Sequence, residues 1–241
     1  MIESLPYFTY KGTTSMSQGL IIEKKSTYAG AERDVEYLQI PGRSGDLMID
    51  KKRYKNVPIE YSVIALDRGV KSIAQIAHDV KGWLAAEIGY FELTDTYDPN
   101  YYRVAAFNDR FDIEQELPFL GKAKILFNCK PYKYLISGKS TITLTSHGAI
   151  NNPELFPSLP YIKITGSGDI TLTINNKNFV FRSVSEYIEI DSETMNAYKG
   201  TLSQNTKMFT PKFPKLAAGS NEISWSGNVE KIEITPRWCC L

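Results

Sequence analysis

Hydrophobic and polar positions alternate along much of the first half of the chain. The clearest run is Val57–Leu66, where β-branched and aromatic residues recur at nearly every second position. A period of two places these side chains on one face of a β-strand. Lys122–Cys129 alternates in the same way and puts four side chains on one face: Ala123, Ile125, Phe127 and Cys129. The pattern predicts further strands at Leu20–Ile22, Val35–Ile40, Leu47–Ile49, Tyr90–Leu93 and Tyr101–Phe107.

One segment, from about Val70 to Ala86, changes to a helical period. Its apolar residues recur at steps of three and four and form one stripe: Ile73, Ile76, Ala77, Val80, Trp83 and Leu84. Such a stripe predicts an amphipathic helix that buries one side. We expect Trp83 to pack this helix against a sheet rather than to bind a ligand.

The second half has short strands and no helical period. Pro131 interrupts the alternation, and residues 130–140 are the predicted junction between a domain at 1–133 and a domain at 134–241. Strands are predicted at Ile142–Leu144, Tyr161–Ile164, Ile170–Ile174, Phe179–Phe181, Tyr187–Ile190, Glu222–Trp225 and Lys231–Thr235. Seven short strands with frequent turns predict a β-sandwich, so the fold is expected to be mainly β with one principal helix.

Composition excludes several classes of function. The 241 residues include 28 basic and 27 acidic side chains, a net charge of +1, with no basic cluster of the kind that nucleic acids require. No apolar run approaches the roughly 18 residues that span a bilayer, and no signal-peptide pattern opens the chain, so we expect no membrane insertion. The three cysteines, Cys129, Cys239 and Cys240, form no even disulfide framework, so free thiols and no metal or cofactor are expected.

Catalytic chemistry has little support in the sequence. His78 and His147 lack the spacing of a metal or nucleophile motif, and carboxylate pairs such as Asp95 with Asp98 read as turn residues. No catalytic residue is therefore predicted, and the protein is expected not to be an enzyme. A hydrolase that uses His78, His147 or Asp98 is a third alternative.

Carbohydrate binding is the more serious alternative for the second domain. Trp225 and Trp238 are the candidate sugar-binding aromatics, with Asn196, Asn205 and Asn221 near them in sequence. The competing interpretation places these aromatics in the sandwich core, and the alternation of Ile223 with Trp225 favours it.

A tight turn stands between two predicted strands of the first domain. Its residues are Ile40-Pro41-Gly42-Arg43-Ser44-Gly45-Asp46-Leu47. Proline fixes φ and each glycine permits positive φ, so the run predicts a defined hairpin turn.

The order of the motifs that follow this turn resembles the distal tail protein (Dit) family of long-tailed bacteriophages. The likeness runs through the helix ending at Trp83-Leu84, then Gly89–Leu93, Asp98–Tyr102, Phe127–Tyr132, Gly168–Asn175, Ile188–Glu193, Phe213–Ile223 and Ile232–Trp238. Each motif is short, but their order covers most of the chain. Ser44 departs from the aspartate that is common in the family.

The resemblance implies a structural protein of the virion tail tip, made in the host cytoplasm. The N-terminal domain would be a tail-tube-like β-sandwich with a helix and an extended hairpin, and the C-terminal domain a galectin-like or carbohydrate-binding-module-like β-sandwich. Family members form a homo-hexameric ring that connects the tail tube protein to the tail-associated lysin or spike and to receptor-binding proteins. DNA only passes through the central channel.

The same resemblance directs attention to the hairpin turn. We expect Gly42, Arg43, Gly45 and Asp46 to lie at or near a contact between subunits. The alternative function is a carbohydrate-binding module that attaches a phage or cell-surface protein to host cell-wall polysaccharide.

Overall fold

The computed structural model describes residues 5–25, 28–67 and 69–241. The chain divides into two compact units: the first extends to Lys133 and includes Leu241, and the second comprises Tyr134–Cys240. Both units are built from β-strands, and the described residues contain one α-helix. The prediction of a mainly β fold with one principal helix is confirmed.

The first unit is formed around one large antiparallel sheet. Its strands are β1 (Phe8–Tyr10), β2 (Thr13–Thr14), β3 (Leu20–Lys25), β4 (Arg33–Leu38), β5 (Leu47–Tyr54), β6 (Val57–Leu66), β7 (Phe91–Asp95), β8 (Tyr101–Ala106), β9 (Ile113–Leu117) and β10 (Leu120–Leu135). The sheet order is β2-β1-β7-β8-β10-β6-β3, and β9 also pairs with β10. Strands β4 and β5 form a separate two-stranded sheet.

Strand β10 shows both a success and an error of the sequence pattern. The four side chains predicted to share a face, those of Ala123, Ile125, Phe127 and Cys129, are all buried. However, Pro131 does not end the strand, which continues to Leu135. Pairing with β6 ends at Cys129, so the missing N–H of Pro131 falls beyond that ladder and removes no bond from it.

Helix α1 (Ile73–Ala85) covers the core of the first unit. It begins three residues later than the apolar pattern suggests, because the Ser72 hydroxyl caps it by accepting a hydrogen bond from the Gln75 N–H at 3.3 Å. Its buried face contains Ile73, Ile76, Val80 and Leu84. Trp83 stacks on Phe8 with 5.8 Å between ring centroids, which confirms its predicted packing role.

The second unit contains a single eight-stranded sheet. Its strands are β11 (Ile142–Leu144), β12 (Gly148–Asn152), β13 (Tyr161–Ile174), β14 (Lys177–Val184), β15 (Tyr187–Asp191), β16 (Asn196–Lys199), β17 (Leu202–Ser203) and β18 (Gly219–Thr235), and the short β19 (Cys239–Cys240) follows. Strands β13 and β18 pair along most of their length. Strand β15 pairs with the first half of β13, and β14 pairs with its second half.

The two halves of β13 and β18 bury their apolar side chains in one shared core. Ile162 and Ile164 from the first half of β13 and Leu172 and Ile174 from the second belong to the same buried cluster. The sequence pattern predicted separate short strands here, and that prediction is wrong, because Gly166–Gly168 lie inside one strand as an irregularity in the register. Glycine and a bulge let a strand bend without ending.

Candidate assembly surface

The most exposed structured element of the first unit is the hairpin of β4 and β5. Every residue from 36 to 49 is exposed to solvent. Six of these residues are large and apolar: Tyr37, Leu38, Ile40, Leu47, Met48 and Ile49. Tyr37 is 62% exposed and Met48 is 59% exposed. A two-stranded sheet without a covered apolar face is marginally stable in water, so this hairpin is suited to packing against another surface.

The apolar residues of the hairpin lie on both of its faces. Tyr37 pairs directly with Met48, and the next pair, Leu38 with Leu47, points to the opposite face. A strand that is apolar on both faces is normally buried on both sides. The sequence carries this signal in the consecutive apolar residues of the two strands, which an alternating pattern does not contain.

The hairpin tip is a defined turn. The N–H of Arg43 donates to the carbonyl of Ile40 at 3.1 Å, and Gly42 has φ +81°. Proline at the second position and a positive-φ glycine at the third are the requirements of a type II turn. Gly45 also has positive φ, at +84°. The exposed Arg43 and Asp46 side chains flank a shallow depression at this tip.

Ion pairs hold the base of the hairpin together. The Arg33 guanidinium donates to both carboxylate oxygens of Asp50, at 2.5 and 3.1 Å. Arg53 donates to Asp34 at 2.7 Å. These hydrogen bonds hold the pKa of both Asp50 and Asp34 below the usual value and raise the pKa of Arg33. Paired charges therefore hold the base of the hairpin together, whereas the part of the hairpin beyond the base exposes large apolar side chains.

The two tryptophans proposed to bind sugar occupy different environments. Trp238 is 5% exposed and belongs to the core of the second unit, which leaves no ring face for a sugar. Trp225 is half-buried and contacts the His147 ring edge-on, with centroids 4.8 Å apart. Asn221 is fully buried, and its side-chain amide donates to the carbonyls of Ala217 and Gly219 at 2.9 Å.

The candidate hydrolytic residues do not form a site. His78 is exposed on α1, and His147 lies in the second unit against Trp225. Asp98 accepts a hydrogen bond from Lys133 at 2.9 Å. Within the described ranges, no cluster of histidine, cysteine and carboxylate side chains could hold a metal ion.

The cysteines are free thiols, as predicted. Burial raises the pKa of the Cys129 and Cys239 thiols to about 12. They are therefore protonated at neutral pH and are poor nucleophiles and poor metal ligands. Among residues 5–25, 28–67 and 69–241, no helix combines the length and apolarity needed to cross a bilayer.

Comparison with known proteins agrees with the resemblance read from the sequence motifs. Residues 14–129 match the family model of the phage tail protein RIFT-related domain. No curated protein matches the sequence. Among solved structures, the Dit protein of phage SPP1, described as a paradigm of the hub adsorption apparatus in phages that infect Gram-positive bacteria, matches with a TM-score of 0.76 at 10% identity, over 99% of this chain and 100% of its own. Residues 14–129 are therefore similar to the phage tail protein RIFT-related domain family, and the chain shares the fold of the Dit protein of phage SPP1.

Proposed function

We propose that this protein is a structural hub of a phage tail tip, which assembles through its β4–β5 hairpin into a homo-hexameric ring. The observation that carries the proposal is the hairpin itself, which exposes apolar side chains on both faces. Support also comes from the tail-protein family match of residues 14–129 and from the Dit fold.

A ring is the assembly that we expect this hairpin to form. The hairpin projects apolar surface, and it would be covered by a different surface on the next copy. Such a heterologous contact, when it closes, generates a cyclic ring. In this account Gly42, Arg43, Gly45 and Asp46 shape the end of the hairpin that reaches the neighbouring copy. The ring leaves a central channel through which DNA passes.

The partners of such a hub are other components of the tail. One face of the ring would contact the tail tube protein, and the other the tail-associated lysin or spike and the receptor-binding proteins. In this account residues 1–133 form the ring, and residues 134–241 form a galectin-like sandwich that offers a further docking surface. The protein acts in the virion tail tip after synthesis in the host cytoplasm, and its role is assembly rather than catalysis.

The hairpin variant Tyr37→Ser with Met48→Ser tests this proposal. It removes a pair of apolar side chains that are mostly exposed and that pack chiefly on each other, so each copy should still fold. Light scattering on the full chain should give a mass near 27.2 kDa for the variant and about 163 kDa, six times that value, for the wild type.

A matched control is Ile88→Ser, which removes an apolar side chain that is 93% exposed outside the hairpin. It should keep the wild-type mass. An unchanged mass in the hairpin variant, or an equal loss in the control, would show that the hairpin does not make the subunit contact.

Sugar binding by the second unit retains one candidate side chain, Trp225. Its partly exposed ring beside His147 is the observation in favour. Binding of the full chain to host cell-wall polysaccharide that disappears in Trp225→Ala would support this second function. Equal binding by both proteins, or none by either, would count against it.

A further inference from the structure

A bulge lies at the base of the β4–β5 hairpin. Arg33 pairs with Tyr54 across the two strands, and the next regular pair is Val35 with Asp50. One residue of β4 and three residues of β5 lie between these two pairs, so β5 carries two extra residues at this point. Extra residues on one strand bend it and increase its local twist, and such bulges re-aim the part of the strand that follows.

The bulge separates an anchored part of the hairpin from an exposed part. On the anchored side, the Tyr54 ring contacts the Tyr132 ring of β10 edge-on, with centroids 5.9 Å apart. The Lys55 N–H donates to the Glu32 carbonyl at 2.9 Å. On the other side, every residue from 36 to 49 is exposed. The bulge is therefore the point at which the apolar part of the hairpin departs from its anchored base.

The middle residue of the bulge has an unusual backbone conformation. Lys52 has φ +58°, in the left-handed region that residues other than glycine rarely occupy. Its N–H donates to Asp50 Oδ1 at 2.8 Å, and its side chain is exposed. The bulge therefore depends on the backbone of Lys52 rather than on the packing of its side chain.

Charged side chains fix the bulge on both strands. Arg33 of β4 donates to both carboxylate oxygens of Asp50, and the same carboxylate accepts the Lys52 N–H, so Asp50 joins β4 to the bulge. Asp34, which lies opposite the bulge, is only 6% exposed and accepts a hydrogen bond from Arg53 at 2.7 Å. Charge-assisted hydrogen bonds are stronger than neutral ones, so the bulge has a defined geometry.

We propose that this two-residue bulge fixes the direction in which the hairpin leaves the first unit and, through that direction, the angle between successive copies of the ring. The second part of this inference rests on the proposed function. A heterologous contact closes into a ring only when the rotation between copies is correct, and otherwise it forms an open chain. Asp50 and Lys52 are then positioning residues, which act on the subunit contact through the hairpin.

Deletion of Lys51 and Lys52 tests the direction of the hairpin. It leaves one residue on each strand between the two regular pairs, so the ladder can continue without a bulge. Removing two residues also keeps the other side chains of β5 on their own faces. The distance between spin labels at two exposed positions, Ser44→Cys on the tip and His78→Cys on α1, is measured in a Cys240→Ser background. Dilution with unlabelled protein restricts the signal to distances within one copy.

The expected result is a narrow distance distribution that is shifted by more than about 5 Å from the wild-type distance, because about 20 Å of strand separates the bulge from Ser44. Lys52→Gly is the matched control. Glycine adopts positive φ without cost, so this variant should keep the wild-type distance. An unshifted distance in the deletion variant would overturn the proposal.

Lys52→Pro provides a second variant with the full chain length. Proline cannot adopt positive φ and has no N–H to donate to Asp50, so the bulge has to rearrange. If the deletion broadens the distance distribution because the hairpin no longer pairs, the distance in Lys52→Pro decides the question. A shift relative to Lys52→Gly would support the proposal, and the same distance in both variants would overturn it.

Light scattering on the unlabelled proteins separates this inference from the proposed function. Where the wild type and Lys52→Gly form a six-copy ring, the deletion variant should lose that mass and form open chains or rings of another size. A shifted distance with an unchanged ring mass would overturn the link between the bulge and the ring. A shifted distance together with a wild type that stays a single copy would support the direction set by the bulge and refute the ring instead.

Discussion

At the scale of single residues, the hairpin tip depends on backbone conformation rather than on packing. A Cβ atom added at Gly42 or Gly45 would meet nothing within 4 Å. Both residues nevertheless have φ above +80°, a region that side chains other than glycine adopt only at a cost. The requirement for glycine here is therefore conformational, and it could be predicted from the Pro-Gly order of the turn.

For this reason, replacing glycine with alanine should have opposite effects on stability at two positions of the chain. Gly42→Ala should destabilise the hairpin turn by about 1 kcal/mol and weaken assembly, because its φ is +81°. Gly82→Ala should stabilise the protein by about 1 kcal/mol, because Gly82 is exposed within α1 and has free space around it. Urea unfolding at several protein concentrations would measure both changes. Stabilisation by Gly42→Ala would contradict the turn described here.

At the scale of secondary-structure elements, the sequence was most informative where one face is buried. The alternation along β6 and β10 and the stripe on α1 agree with the buried residues. The sequence pattern was misleading at Pro131 and at Gly166–Gly168, where residues that often end a strand lie inside one. Local signals report that a strand is perturbed, but whether it ends or bends depends on its partner strands, which are distant in sequence.

The bend in the sheet of the second unit provides a test of this explanation. Gly227 has φ +101°, and a Cβ atom there would lie 2.3 Å from the carbonyl oxygen of Asp169 on β13. Gly227→Ala should therefore destabilise the second unit by about 3 kcal/mol or more, through both strain and a backbone clash.

Gly168→Ala is the control at the same bend. Its φ is +79°, but a Cβ atom there meets nothing within 4 Å, so only the conformational cost of about 1 kcal/mol applies. Thermal or urea unfolding of the two variants would separate the effects. Equal losses of stability would show that close approach of the strands does not govern the bend.

At the scale of the whole molecule, the family resemblance was more informative about the type of protein than the pattern of hydrophobic and polar residues was. The order of motifs pointed to a phage tail protein, and the family match of residues 14–129 and the Dit fold agree with it. A cavity lined by the charged residues Lys25, Asp95, Arg103 and Lys133 was not predictable, because these residues come from β3, β7, β8 and the end of β10. Only the folded sheet brings these positions together.

The central claim is that the exposed hairpin completes a ring. Single-particle cryo-electron microscopy of the full chain at high concentration would test it most directly. The account predicts closed six-membered rings with a central channel, in which Tyr37 and Met48 of each copy are covered by the next copy. Particles that remain single copies at every concentration, or assemblies in which the hairpin still faces solvent, would contradict it.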